Sequence, residues 1–371
     1  MSVLTAFSSG ADAVQAVAEV KRQLTGTTPA LVVAFASAAM DPGAVSAGLA
    51  EAFPEAKVIG CTTAGEIVSG RMLKHSLVVM ALDDAFVADV SVQVVRDLSQ
   101  GVDVESAFAG FASHFGSAAA DLSLDEYVGL VFVDGLSGAE ERLMEAVGNR
   151  TNVVFVGGSA GDDLAFTRTH VFADGQAVSD AAVLALLKPA VPFKIVKTQS
   201  FVATDQVLVA TETDEAAREV ISFNGKPAVE AYAQAIGRPV DQAADGFMNH
   251  PVGLMIDGEP YVRSPQQVLE NGTIRFYCNI VNGMGLSVLE GTDIIADTKS
   301  ALAEAADELG GISALINFNC ILRTLELEAE GRTGEYGALF SDVPTVGFST
   351  YGEQYFGHIN QTATMLALGQ R

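Results

Sequence analysis

Ala30-Leu31-Val32-Val33-Ala34-Phe35-Ala36 is an unbroken apolar run bounded by Pro29 and Ser37. It is too short for a helix of its own, and a continuous rather than alternating apolar pattern marks a strand buried on both faces. On its N-terminal side, residues 13–24 place Val14, Val17, Val20 and Leu24 on one face of a helix. On its C-terminal side, Pro42 opens a helical stretch reaching Phe53, and residues 57–60 read as a short strand. The order helix, strand, helix, strand implies an α/β fold.

Working outward, residues 76–82 and 86–95 read as a hairpin turning at Asp83-Asp84, which mixes antiparallel pairing into the sheet. A helix at 104–115, a strand at 127–133, a helix at 139–147 and a strand at 152–156 ending in glycines continue the βαβ pattern. Strands then follow at 169–172, 182–187, 193–201 and 206–210. Asn224-Gly225 opens a helix to Ile236, followed by strands at 252–256, 273–280 and 286–290 and a helix at 293–309. A strand at 313–318, a helix at 320–330 and strands at 345–350 and 362–368 close the chain. The expected architecture is mixed α+β: two tightly packed domains, residues 1–220 and 221–371, with mixed β-sheets covered by helices. This reading finds no internal repeat, low-complexity segment or Pro- or Ser-rich linker.

Composition narrows the function. Of 371 residues, 49% are hydrophobic and 18% charged, so the chain has ample material for a core. Its 21 basic and 46 acidic residues leave a net charge of −25, with no run of Lys or Arg. Nucleic acid and anionic membrane surfaces are excluded as partners, since both need clustered cations. Residues 1–10 carry no basic, apolar leader pattern, and apolar runs such as Ala181–Leu187 are far short of a membrane span, so the expected location is the cytoplasm.

Cys61, Cys278 and Cys320 are odd in number and widely spaced, which fits reduced, buried thiols rather than disulfides or a zinc site. The turn Ile59-Gly60-Cys61-Thr62-Thr63-Ala64-Gly65-Glu66-Ile67 gathers backbone N–H groups, a thiol and two hydroxyls, a make-up able to cradle a ligand anion. Taken alone, its glycines are also explained by tight backbone geometry. The turn Val156-Gly157-Gly158-Ser159-Ala160-Gly161-Asp162-Asp163 lacks dinucleotide spacing and P-loop chemistry, so its carboxylates are assigned to turn formation and hydrogen bonding. The five histidines form no metal-binding pair; a single axial His is still compatible with haem. Polar residues crowd the ends of apolar strands at 317–323 and 347–362, as in loops that line a ligand site.

At these clusters the chain resembles the FIST family of two-part sensory modules. The likeness rests on Gly60 to Glu66, Gly157 to Asp163, Phe223-Asn224-Gly225-Lys226-Pro227-Ala228, Cys320-Ile321-Leu322-Arg323 and Gly347 to Gln361. Within the family it is similar to the nitric-oxide-sensing subfamily called NosP, through Thr169-His170-Val171-Phe172, His250-Pro251-Val252, Tyr261-Val262-Arg263-Ser264 and Tyr351-Gly352-Glu353-Gln354-Tyr355. It departs from the expected pattern at Asn319, where an acidic residue should precede Cys320. The resemblance implies a non-enzymatic sensor that binds haem b, responds to NO and signals to a partner such as a histidine kinase. His250, held beside Pro251, ranks first as axial ligand, followed by His170 and His358. Arg263 and Arg323 are candidates for propionates or a ligand carboxylate. Cys61, Thr62, Gly65, Asp162, Cys320, Tyr351, Glu353 and Asn360 complete the expected ligand-binding set. A FIST sensor of another small ligand such as an amino acid, without haem, is the alternative. A cysteine-dependent hydrolase or transferase is a third reading, for which the sequence offers no base beside Cys61 or Cys320.

Overall fold

In the structure, a computed structural model, residues 3–10 and 12–370 are described, so the reading of the first residues lies outside it at positions 1 and 2. The chain is mixed α/β, as expected. Packing gathers the residues into two compact units. One comprises the chain up to Lys197, Lys299–His358 and the chain from Ala363; the other comprises Thr198–Thr298 and Ile359–Thr362. The expected division at 220/221 cuts the chain once, whereas packing makes 198–298 an excursion from the larger unit.

The larger unit contains three six-stranded sheets of the same plan. At the centre of each is a parallel pair joined through one helix, or two in the third: Leu31–Ser37 with Lys57–Thr63, Val128–Val133 with Phe155–Ser159, and Ile312–Cys320 with Thr345–Thr350. Parallel neighbours require such a crossover, and these strands, covered on both faces, are almost wholly buried. An antiparallel strand flanks the first member of each pair: Leu77–Leu82, Ala181–Pro189 and Thr362–Gly369. The second member is flanked by a hairpin taken from a different repeat. Glu66–Val68 from the first repeat pairs with Thr345–Thr350 of the third, Val171–Ala173 from the second with Lys57–Thr63 of the first, and Glu353–Tyr355 from the third with Phe155–Ser159 of the second. The exchange closes into a ring.

This threefold plan corrects the expectation that the chain lacks an internal repeat. Each first strand of a pair carries a phenylalanine into the shared core, and the three rings touch pairwise. Phe35–Phe132, Phe35–Phe318 and Phe132–Phe318 have centroids 5.6, 6.3 and 6.0 Å apart, all near edge-to-face. That geometry sets the positive ring edge against the negative face, which adds to the gain from burial. Each second strand carries a glycine opposite the residue before that phenylalanine: Gly60 faces Ala34, Gly157 faces Val131 and Gly347 faces Asn317. A Cβ on these glycines would lie 1.8, 1.7 and 2.2 Å from the facing carbonyl oxygen, so only glycine permits the approach.

Two local expectations are also corrected. Leu77–Leu82 and Val87–Arg96 are not a hairpin: they join different sheets, and the Asp83 turn carries the chain between them. Leu77–Leu82 is buried throughout and already has partners on both edges, Leu4–Ser8 and Leu31–Ser37. Helix Ala13–Gln23 is capped by Asp12 and buries Val17 and Val20, but Val14 is 71% exposed.

The smaller unit is an antiparallel eight-stranded sheet crossed by the long strand Phe201–Asp214. Helix Ala228–Ala235 packs on it through Tyr232, beside a core of Phe223, Phe247 and Phe276.

Candidate functional site

The turns that follow the three glycine strands interlock at the C-terminal ends of the parallel pairs, the customary location of ligands in α/β sheets. Equivalent residues make equivalent backbone bonds. The Thr62, Ser159 and Ser349 N–H groups donate to the carbonyls of His170 (2.9 Å), Gly352 (2.9 Å) and Gly65 (2.7 Å). Their own carbonyls accept from Gly161, Tyr351 and Ala64 in turn, at 2.9, 3.2 and 3.2 Å. All three residues are buried. The motif behind this ring is a glycine, a hydroxyl residue two positions on, and a second glycine before an acid: Gly60 to Glu66, Gly157 to Asp162 and Gly347 to Glu353.

The carboxylates are placed differently. Glu66 is 1% exposed and accepts from the hydroxyls of Thr63 (2.5 Å) and Ser76 (2.6 Å) and from the Ser76 N–H (3.0 Å). Burial dominates these bonds and, aided by the nearby Asp163 charge, lifts its pKa from 4.5 to about 7. Asp162 accepts from the Phe166, Thr167 and Arg168 N–H groups and from the Tyr351 hydroxyl (2.5 Å). Burial opposes its ionisation, but the Tyr351 hydroxyl and the three N–H groups outweigh that, and its pKa falls below the usual range. Asp162 thus carries the hydrogen-bonding role expected for it.

Together Asp162 and Tyr351 hold a contorted loop. Asp163, Leu164 and Phe166 all have positive φ (54°, 64° and 50°), conformations that cost free energy in non-glycine residues. The Tyr351 oxygen accepts from the Asp162 and Leu164 N–H groups, and Phe166 stacks on the Tyr351 ring at 5.1 Å while remaining half exposed. His75 Nδ1 lies 3.5 Å from the Asp163 carboxylate at the same rim.

Below the rim, Gln354 donates through Nε2 to Ser159 Oγ (3.1 Å) and pairs with His358 Nδ1 (3.1 Å). Its Oε1 is buried without a hydrogen-bond partner among the described residues. His358 packs against Gly352 so closely that a Cβ there would sit 2.0 Å from the imidazole. In the third repeat, Arg323 Nε donates to Asn319 Oδ1, the Tyr336 hydroxyl donates to the same oxygen, and Thr324 bonds Ser349. Burial raises the Tyr336 pKa, outweighing the Arg323 charge and the hydrogen bonds from Asn317 and Arg323 that favour its ionisation.

The remaining expected residues are placed as follows. Cys61 points into the apolar core, where burial pushes its thiol well above its ordinary value, the reverse of nucleophilic activation. All three cysteines are free and buried. Cys320 precedes helix Ile321–Ala329. Gly65 adopts a positive φ of 135°. The Thr62 hydroxyl accepts from the His170 N–H, and burial, then the Arg168 charge, lowers the His170 pKa. Arg263, Asn360 and His250 belong to the smaller unit, not to the unit that carries this ring. There, His250 Nδ1 lies 3.2 Å from the Leu289 carbonyl, and Asn360, 1% exposed, has neither amide atom hydrogen-bonded among the described residues. Sequence reasoning left out Glu66, Ser76, Phe166 and Tyr336, although the recurring glycine–hydroxyl–acid order could have pointed to Glu66. Among the described residues there is no group of three or more His, Cys, Asp or Glu placed to hold a metal ion, and no helix long and apolar enough to cross a membrane.

Comparison with known proteins agrees with the resemblance seen in the sequence. Residues 30–226 match the FIST N domain and residues 228–355 the FIST C domain. An uncharacterized protein of Methanocaldococcus jannaschii is 24% identical over 279 residues, 69% of this chain and 52% of that protein, so the chain spans about half the length of the relative it matches. A solved cyanuric acid hydrolase from A. caulinodans aligns over 76% of this chain and 99% of its own, at 12% identity and a TM-score of 0.20, a likeness too weak to carry an argument.

Proposed function

Because the chain belongs to the FIST family of sensory domains that bind small ligands, we propose that it senses a small metabolite bearing an ammonium or similar donor group, held where the three turns interlock. Occupancy is passed to a signalling partner such as a histidine kinase. The observation behind this reading is Gln354 Oε1, which is buried with no hydrogen-bond donor among the described residues, in a ring whose turns also carry the acids Glu66, Asp162, Asp163 and Glu353. Buried acceptors in native proteins are nearly always matched, so an unmatched one beside several carboxylates calls for a donor from outside the chain. An amino acid or amine supplies it. The loop at 163–166, poised over Tyr351, is suited to register occupancy.

A second reading, haem-based NO sensing, is favoured by one observation at His250. With Nδ1 directed at the Leu289 carbonyl, its Nε2 is the nitrogen free to face a ligand, the arrangement by which proteins orient an axial imidazole. In that case haem would supply a ferrous iron for NO, and His250 would be its axial ligand.

One experiment separates the two. Purified protein is surveyed by thermal shift against amino acids and amines, and by absorption after addition of haem. An ammonium compound at about 100 times its Kd adds about 2.7 kcal/mol of stability, roughly 5–10 °C in Tm for a unit of this size. Such a shift, with only weak haem uptake, is the expected result. A stoichiometric Soret band lost in His250→Ala, with a silent panel, would overturn the metabolite reading in favour of haem.

A further inference from the structure

The first repeat differs from the other two in what its outer helices show to solvent. The helices that leave the first strand of each parallel pair are Pro42–Ala52, Glu140–Gly148 and Ile321–Ala329. In the second repeat Arg142 and Glu145 are exposed, and in the third Glu328 is, so charge solvates the outer face. In the first, no side chain from Pro42 to Ala50 is charged, and the exposed positions of the helix are Gly43, Ala47 and, near its end, Glu51. A helix that is apolar on nearly every side is ordinarily covered on every side.

Beside it lies helix Ala13–Gln23. Leu4–Ser8 and Leu31–Ser37 both run antiparallel to Leu77–Leu82 and hence parallel to each other. Each is followed by one of the two helices, which carries the chain back to the start of the next parallel strand, so the two helices also run the same way. They approach closely: a Cβ on Gly48 would lie 3.2 Å from the Val17 side chain. The groove between them, of about 360 Å³, is walled by Val14, Val17 and Ala18 on one side and by alanines and Gly48 on the other. Val14 is 71% exposed there. Lys21 and Glu51 are the charged residues of its lining, each in the last turn of its helix and therefore at the same end of the groove. Neither has an ion pair among the described residues.

We infer that this groove is the contact face between two copies of this chain. Charge decides the occupant. With a net charge of −25, two copies repel over most of their surfaces, whereas the groove carries one charge of each sign. A two-fold axis parallel to the helices lays Ala13–Gln23 of one copy along Pro42–Ala52 of the other at equal height. It sets Lys21 against the partner's Glu51, and symmetry repeats the pair. An unrelated partner has to supply both signs at that spacing; a second copy does so by construction. Helices of 11 residues are about 16 Å long, and a face two helices wide falls at the small end of specific interfaces, so the Kd is on the order of tens of micromolar. This contact does not depend on the proposal for the ring of turns.

The test is sedimentation velocity of the full chain from about 1 µM to about 1 mM, at low salt so that surface charges are little screened. Val14, Lys21 and Glu51 are all exposed, so substitutions there leave the fold intact. The expected result is a reversible dimer that Val14→Asp abolishes. Lys21→Glu and Glu51→Lys should each weaken it about tenfold, since two pairs turn repulsive. An equimolar mixture of those two variants should regain the affinity of the unaltered chain, because in the mixed dimer every swapped charge faces an opposite one. A monomer at every concentration, or a dimer unmoved by Val14→Asp, overturns the interface. A dimer lost in Val14→Asp but indifferent to the charge swaps, or a mixture no tighter than either variant alone, overturns the two-fold pairing of Lys21 with Glu51.

Discussion

Glu66 offers the sharpest link between geometry and a measurable quantity. Its carboxyl is buried among Thr63, Ser76 and the nearby Asp163, and its pKa stands near 7 rather than 4.5. At about 1.4 kcal/mol per pH unit, that displacement amounts to about 3 kcal/mol between the two protonation states. The sign follows from proton counts. Below about pH 4.5 the group is protonated in both the folded and the unfolded chain and contributes nothing to the pH dependence. Between 4.5 and 7 the folded chain retains a proton that the unfolded chain has lost, so stability falls as pH rises. Above about 7 both forms are ionised and the full cost remains. Glu66→Gln, which cannot ionise, should lack this component. Chemical denaturation of both proteins at about pH 5 and pH 8 should show the unaltered chain losing about 2.5 kcal/mol more than the variant. A stability difference that stays constant with pH would refute the assignment of a buried, largely neutral carboxyl.

Other consequences can be checked separately. Tyr351→Phe removes the hydroxyl that bonds Asp162 and the Leu164 N–H; it should cost about 1–3 kcal/mol and quicken proteolysis within 163–168, which limited digestion would report. Gly157→Ala forces a Cβ onto the Val131 carbonyl and should abolish soluble expression, whereas Gly148→Ala, with nothing within 4 Å, should leave Tm within about a degree. Phe132→Ala opens the centre of the aromatic triad and should cost about 3–5 kcal/mol by denaturant titration.

Elements whose burial is continuous or follows a regular period were legible in the sequence. The strand at 30–36, the one at 313–318 and the helix at 139–147 show their environment in every residue, by continuous apolar character or by period. Exchange between sheets was not legible. The hairpins that make it have strands of only three residues, and their partners lie far away in sequence, so no local pattern names the partner. The false hairpin at Asp83-Asp84 has the same cause, because a turn between two apolar strands looks alike whether it reverses within a sheet or crosses to the next. The repeat escaped notice because its core-facing positions diverge: Cys61, Gly158 and Phe348 are equivalent, and only the glycines, hydroxyls and phenylalanines persist. At the site, the turn-forming role of Asp162 followed from its residue type. The burial of Glu66 did not, since a glutamate in a turn is ordinarily solvated.

The central claim, that the ring of turns binds an ammonium-bearing metabolite, is tested most directly by calorimetric titration of the strongest thermal-shift ligand into the unaltered chain and into Gln354→Leu. The account predicts binding at one site and a loss of about 10–100-fold in the variant, the worth of a hydrogen bond to a charged donor. Affinity unchanged in Gln354→Leu, with the variant folded, would contradict it.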